Sequence, residues 1–364
     1  MDCLADVYHA EGKYAEAESA ALEGLTVVRR LHGEERPDGI RFRMTLERVY
    51  RATNRPEEAE KVAAPLVSSF RRMYGAEHPD SLLLESDLAG IYRLEGRFTE
   101  SAALLAQILE ISRRTNGNED PYTLAYECYY VADLDSLGEF TEAEQLAKNN
   151  LETYRRVDGE EFRGTQVSEV VFAAHERALG KFGEAEPILI KNLAIVQKQR
   201  GTENPDLANA MTSLGILYQD EGKDDLAESM LANALALDRK LPTGNLTVRA
   251  CLTALARLRL TQGRFAEAES LLREAMSGTG NQNLTVWDTL DRQSLLGASL
   301  LGQGRYADAE PLLIAGYEGL RKLSPAISVE ANLPEAGLRL VRLYSARGKP
   351  DKADEWRRNL ESQE

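Results

Sequence analysis

Cysteine is scarce in this chain, and what there is does not pair. Cys3, Cys128 and Cys251 are the only three in 364 residues, far apart and without a CxxC. That usage excludes a disulfide framework and a sulfur-ligated metal, and it fits a reducing, cytoplasmic compartment. The four histidines, His9, His32, His78 and His175, do not cluster. His175-Glu176 opens an HExxH match, but position 179 is Leu, so the zinc-binding pair is missing. No apolar run is long enough to span a bilayer, and no secretory signal is present. Basic residues are outnumbered, 44 Lys and Arg against 59 Asp and Glu, for a net charge of -15. A surface of that sign argues against sequence-independent binding to nucleic acid or anionic membrane. There is no GxGxxG, no phosphate-binding GxxxxGK[ST] and no GxSxG. The expectation is a chain without cofactor, metal or catalytic residues. Asn245-Leu-Thr247 and Asn283-Leu-Thr285 match a glycosylation acceptor, but with no signal peptide both are read as chance.

What the chain has is a period. Gly12-Lys-Tyr-Ala-Glu-Ala-Glu18 returns as Gly96-Arg-Phe-Thr-Glu100, Gly138-Glu-Phe-Thr-Glu-Ala-Glu144 and Gly180-Lys-Phe-Gly-Glu-Ala-Glu186. It returns again at Gly222, Gly263 and Gly304, with Asn54-Arg-Pro and Gly348-Lys-Pro as variants. The intervals are 42 five times, then 41, 41 and 44. A fixed period of this size means stacked supersecondary units, and it overrides the two or three domains that length alone would suggest. Residues 1–364 are therefore read as a single array of about nine units.

One unit can be read in detail. Asn204-Pro205 opens a helix, Asn as N-cap and Pro in the first turn. Leu207, Met211, Leu214, Gly215 and Tyr218 trace one face of it by three- and four-residue steps. Gly222 ends it, and a second helix follows with Leu226, Ala227, Met230, Leu231, Ala234 and Leu235 on its buried side. Other units keep the offsets. Tyr8, Tyr50, Tyr92, Tyr218 and Tyr344 stand four before the turn, and Ala5, Ala89, Ala173, Gly215, Ala256 and Gly297 seven before it. Five after it stand Ala17, Ala59, Ala143, Ala185, Ala227, Ala268, Ala309 and Ala353. The small residues predict close approach of helix A to helix B, with the large ones filling the gaps between pairs. The glutamates after each turn sit in the first turn of helix B, where negative charge is favourable.

The Leu–small–x–x–Tyr ahead of a Gly-Lys/Arg-Tyr/Phe-x-Glu-Ala turn resembles the tetratricopeptide repeat. The period of 42 and the inter-repeat Gly-x-x-x-Pro, as in Gly75-Ala-Glu-His-Pro79 and Gly201-Thr-Glu-Asn-Pro205, resemble its kinesin-light-chain type. The resemblance covers essentially the whole chain. It implies an all-α, right-handed superhelical solenoid of antiparallel helix pairs. Departures are Arg163 where Pro is due, Glu176 and Arg259 in place of Tyr, and recomposed loops at Pro242–Asn245 and Ser277–Gln282. Less regular packing is expected there. Pro350 to Glu364 reads as a short polar cap with Trp356 and Leu360 facing inward. About six residues of the first helix are missing relative to the repeat, so the first unit is read as truncated and its Leu4/Tyr8 face as a surface for self-association.

In this family the inward face of helix A lines a concave groove, at positions 13, 10, 9, 6, 3 and 2 before each turn. The resemblance places Arg41, Met44, Thr45, Arg48 and Arg51 there in the second unit, and Ser86, Asp87 and Arg93 in the third. Cys128, Tyr129 and Asp135 follow in the fourth, and Val167, Val170, Val171 and Arg177 in the fifth. Asn209, Thr212, Ser213 and Gln219 stand there in the sixth. The candidate peptide-groove set is Arg48, Arg51, Asp87, Arg93, Tyr129, Val171, Arg177, Ser213 and Gln219. Basic side chains flanking Tyr129 suit an extended peptide with acidic and apolar side chains. The competing reading has the arginines salt-bridged to the neighbouring unit and the valines packed as core. The family's clamp for a C-terminal carboxylate needs Asn nine before the turn, where this chain has Cys3, Thr45, Asp87, Tyr129, Val171, Ser213, Ala254, Leu295 and Arg339. The expected function is a non-catalytic scaffold for a protein or peptide partner. The alternative is a C-terminal sensor or docking module of a larger kinase- or ATPase-linked signalling protein.

Overall fold

The structure is a computed structural model that describes residues 2–32, 37–53, 55–241, 247–277, 286–323 and 333–361. Among these the secondary structure is eighteen α-helices, with no strand. They alternate as members A and B of a pair. α1 (Asp2–Ala10) pairs with α2 (Tyr14–His32), α3 (Pro37–Ala52) with α4 (Pro56–Tyr74), and α5 (Pro79–Leu94) with α6 (Phe98–Thr115). α7 (Pro121–Leu137) and α8 (Phe140–Val157), α9 (Arg163–Ala178) and α10 (Phe182–Arg200), and α11 (Pro205–Asp220) and α12 (Asp224–Asp238) follow. The last pairs are α13 (Thr247–Thr261) with α14 (Phe265–Ser277), α15 (Val286–Gly302) with α16 (Tyr306–Leu323), and α17 (Leu333–Ala346) with α18 (Pro350–Glu361). The described chain divides into two compact units, one ending at Asp133 and the other beginning at Leu134. Each is described by itself.

Each described turn glycine has a positive φ, from 64° at Gly348 to 78° at Gly138 and Gly222. Only there can the chain fold back within one residue, and glycine enters that region without a Cβ penalty. The N–H of the next residue returns to the carbonyl four before the turn, Lys13 to Tyr8 and Lys223 to Tyr218 at 2.8 Å. The glycine N–H returns to the carbonyl three before it, as Gly96 to Arg93 at 3.0 Å. This pair of bonds satisfies carbonyls that helix A would otherwise leave open. The residue after the glycine also opens helix B: Ala17 and Ala227 donate back to the carbonyls of Lys13 and Lys223. At the other end of the pair, Asn204 caps α11 by accepting from the Leu207 N–H at 2.8 Å. His78 does the same for α5 through Nδ1, so it is a cap as well as a half-exposed loop residue. Arg163 replaces the expected proline without cost to the boundary, and α9 begins at that residue.

In the first unit the core is Leu46, Leu66, Phe70, Leu88 and Ile91 with Ala59 and Ala63 between helices. In the second, Leu189, Leu214, Leu217 and Tyr218 pack with Ala173, Ala185 and Ala227. The small positions are as close as the sequence requires. A Cβ on Gly215 would lie 2.7 Å from Leu231 Cγ, and one on Gly297 would lie 2.7 Å from Leu313 Cγ. Trp356 meets Tyr317 edge-on, ring centroids 4.9 Å apart, and Leu360 closes over Gly337. Both residues of the last helix thus face inward as expected. At the other end Leu4 and Val7 are exposed. The recomposed stretches 242–246 and 278–285 lie outside the described residues.

Candidate functional site

The turn motif does more than end one helix and start the next. Its basic residue reaches the last glutamate of the preceding motif. Arg55 meets Glu18 at 2.8 Å and Arg97 meets Glu60 at 3.0 Å in the first unit. Lys181 meets Glu144 at 2.6 Å, Lys223 meets Glu186 at 3.0 Å and Arg305 meets Glu269 at 2.9 Å in the second. The tyrosine four before the turn carries the same cation on its ring, Arg55 over Tyr50 at 4.5 Å and Arg97 over Tyr92 at 4.1 Å. Tyr344 donates to Glu310 at 2.9 Å. Where Arg259 replaces the tyrosine, its guanidinium takes Glu228 directly at 2.7 Å. The glutamates after each turn are therefore rungs between successive pairs as well as favourable charges at a helix start. A second set of rungs ends on buried carboxylates: Arg71 to Glu85, Arg113 to Glu127 and Arg155 to Glu169, each from the end of a helix B to the following helix A.

The inward stripe of helix A carries a third set. In the first unit, Arg48 pairs with Asp6 at 2.7 Å, and Arg51 with Glu47 at 3.2 Å and Asp87 at 2.7 Å. Arg93 pairs with Asp133 at 2.7 Å and donates to the Tyr129 carbonyl at 2.6 Å. Asp133 is fully buried and also accepts from Ser101 at 2.5 Å. Burial pushes its carboxyl up, against the pull of Arg93 and Ser101. Burial likewise pushes Glu47 up to about 7, with Arg51 opposing and Asp87 adding to the rise. The arginines are thus engaged with carboxylates, mostly of the neighbouring pair, while keeping an open edge. Arg48 is 46% exposed and Arg93 25%. Tyr129 stands 49% exposed with the Arg93 guanidinium 5.9 Å from its ring centroid. Cys128, next to it on the helix, is buried.

In the second unit, Arg177 pairs with Asp220, and Gln219 donates to the Ala254 carbonyl at 3.0 Å. Ser213 and Val171 are half-buried, and Val170 packs against the core around Leu189 and Leu214. His175 is buried, with Nδ1 2.6 Å from Asp135 Oδ1, and the neighbouring carboxyl of Asp135 is raised by burial against that bond. Among the described residues no group of three His, Cys, Asp or Glu could hold a metal ion. No described helix is long and apolar enough to cross a membrane.

The same stripe continues into the last three pairs, from which the candidate peptide-groove set took no residue. Arg257, Leu260 and Thr261 of α13, Leu295, Ala298 and Leu301 of α15, and Arg339 and Arg342 of α17 stand at its repeat positions. They line a cavity of about 650 Å³. The offsets that located Arg48 and Tyr129 would have found it.

Models described as tetratricopeptide repeat match residues 1–64, 80–156 and 167–240, and others so described match 248–279 and 292–313. The chain belongs to the tetratricopeptide repeat family. Among solved structures this repeat chain is similar to a Rap protein complexed with competence and sporulation factor, at 12% identity and a TM-score of 0.62, covering 98% of this chain and 95% of that one. A tetratricopeptide repeat protein from Parabacteroides merdae is similar at 14% identity and a TM-score of 0.53, over 81% of this chain and 96% of that one. The kinesin light chain TPR-like repeats of Podosopora anserina align at 25% identity and a TM-score of 0.46, over 57% of this chain and 98% of theirs. No protein of curated function matches. Tetratricopeptide repeats support a protein-interaction scaffold in general, and the fold is typically non-catalytic.

Proposed function

We propose that this repeat chain is a scaffold whose helix A stripe binds an extended peptide or disordered segment with acidic and apolar side chains. The observation that carries the reading is Tyr129. A large aromatic ring left half exposed beside a guanidinium is a poor use of surface for folding and a good anchor for a ligand. Arg48, Arg51, Arg93 and Arg177 add positive edges to the stripe, Asp87, Ser213 and Gln219 polar ones, and Val171 an apolar one. Since every one of those arginines already holds a carboxylate, an acidic ligand side chain would share rather than replace that partner. The net charge of -15 repels such a ligand at long range, so the attraction is local and weakens with salt. The proposal includes a partner that is protein and not nucleic acid or membrane. It also includes a reducing, cytoplasmic location, supported by the burial of the Cys128 and Cys251 side chains. Self-association through the first pair is part of it, supported by exposed Leu4, Val7 and Leu22.

The test must spare the buried carboxylates. Arg93→Glu would confront Asp133 and unfold the site, whereas Arg48 and Tyr129 are exposed enough to change. Affinity capture from the source lysate should lose its partners on Arg48→Glu with Tyr129→Ala and keep them on Lys61→Glu, a reversal on the exposed face of α4. Retention of every partner by the stripe variant would refute the reading.

A further inference from the structure

The cavity at the end of the stripe has the makings of a specific subsite. Its walls come from three successive A helices, α13, α15 and α17, with Phe265 added from the start of α14, all within the second unit. Leu260, Phe265, Leu295 and Leu301 give it an apolar lining. Three guanidiniums, Arg257, Arg339 and Arg342, also line it, and Glu335 is the only carboxylate among the described lining residues. About 650 Å³ is the size of a small-ligand site and holds two or three side chains.

The positive charge is fixed in place. Arg257 is held by buried Asp291 at 2.5 Å, and Arg339 donates to Ser294 Oγ at 2.8 Å with Glu335 at 3.8 Å. Arg342 meets Glu335 at 3.1 Å and is 63% exposed, so its remaining donors point to solvent. Arg292, outside the lining, is buried, with Nη1 lacking a partner among the described residues. Burial holds Arg339 and Arg292 below the usual guanidinium range, Asp291 and Asp288 opposing that shift respectively. Among these described residues the guanidiniums outnumber the carboxylates Asp288, Asp291 and Glu335. In a chain with a net charge of -15 this is a local reversal of sign. Guanidiniums fixed beside an apolar wall recognise a carboxylate by paired hydrogen bonds while the wall takes the carbon chain.

We infer that this cavity is the docking subsite for an acidic–apolar peptide segment of a partner protein, one carboxylate lying against Arg342 and Arg339 and the adjoining apolar side chain against Phe265, Leu295 and Leu301. A peptide is the occupant because the lining repeats the same stripe positions on three helices in succession, a spacing that a chain crossing the helices follows. The inference rests on the scaffold reading and gives its ligand a place and a charge. It does not depend on Tyr129 or Arg48, which lie in the other unit, so the two readings can fail separately.

The experiment uses the full chain with 8-anilinonaphthalene-1-sulfonate, an apolar anion, as fluorescent reporter. The competitors are the capped pentapeptide Leu-Glu-Phe-Glu-Leu, its Gln-for-Glu counterpart, and decanoate. Ala298→Trp, which fills the cavity from half-buried Ala298, should abolish the displaceable signal. Arg342→Glu should weaken both dye and Glu peptide by about tenfold, and Arg342→Lys by less, since a point charge keeps the attraction but not the paired bonds. The Gln peptide should compete at least about tenfold less well than the Glu peptide, the loss expected for one charged contact. Melting followed by circular dichroism controls for folding, and exposed Arg342 should leave it unchanged. The inference is overturned if neither Ala298→Trp nor Arg342→Glu alters dye binding, or if the Gln peptide competes as well as the Glu peptide. Displacement by decanoate alone would overturn the peptide in favour of a small amphipathic acid.

Discussion

Removing Arg93 should expose how much of the first unit rests on a single buried carboxylate. In Arg93→Ala, fully buried Asp133 loses its guanidinium at 2.7 Å and keeps only the Ser101 hydroxyl at 2.5 Å. Breaking one side of a buried pair costs about 3–5 kcal/mol. Because Arg93 is itself 25% exposed, solvent screens part of the pair, and about 2–3 kcal/mol is the expected loss. Asp133→Asn in the same background should recover most of it, since an amide needs no counter-charge and can still bond to Ser101. The pH dependence follows from the raised carboxyl of Asp133. A raised folded-state value means that the group's contribution is fully present below the unfolded value, 3.8, and is lost as pH rises through the folded value. Without Arg93 the folded value rises further. The penalty of Arg93→Ala should therefore shrink as pH falls from about 7 toward 5, while the Asp133→Asn background shows no such change. Amide hydrogen exchange of α5 to α7 reads this locally, which a repeat array with incomplete cooperativity requires. A loss below about 0.5 kcal/mol, of the size of a surface pair, or one unchanged between the two pH values, would refute the reasoning.

Gly215→Leu should cost at least about 1–3 kcal/mol, because even a Cβ there meets Leu231; a melting temperature equal to the parent's would show that the A–B contact is not where it is placed. Asn204→Ala removes the acceptor of the Leu207 N–H and should cost about 1 kcal/mol, seen as faster amide exchange confined to the first turn of α11. Tyr344→Phe deletes the bond to Glu310 and should cost about 1 kcal/mol by urea denaturation, with Tyr50→Phe as the matching change at the second turn.

Much of this was legible because a repeat states each rule several times. Gly12 or Gly222 alone is a common residue in a common place. Eight turn glycines, each followed by the start of a second helix, fix the turn, the helix ends and the buried offsets. Ala17, Ala59 and Ala227 being fully buried needed no structure to foresee. Replacements inside the pattern were harder to read. Arg259 stands for a tyrosine and looked like an irregularity. It is a direct rung to Glu228, since a guanidinium reaches the carboxylate that the tyrosine and the turn cation otherwise share.

The sequence by itself determined the pair, its turn and its register, because these are set by residues within one period. The backbone chemistry that enforces them, a positive φ at glycine and a small side chain at a helix contact, is local. Which side chains of the stripe are engaged was decided only in the tertiary structure. Arg48, Arg51, Arg93 and Arg177 could equally have faced a ligand or the next pair. Their carboxylates lie roughly a period away, in Asp6, Asp87, Asp133 and Asp220. Likewise Arg257 is remote in the sequence from Arg339 and Arg342, and it meets them only because stacking brings α13 and α17 to one cavity. Electrostatic partnership depends on distances of a few ångströms between helices, and periodicity gives the order of helices without those distances.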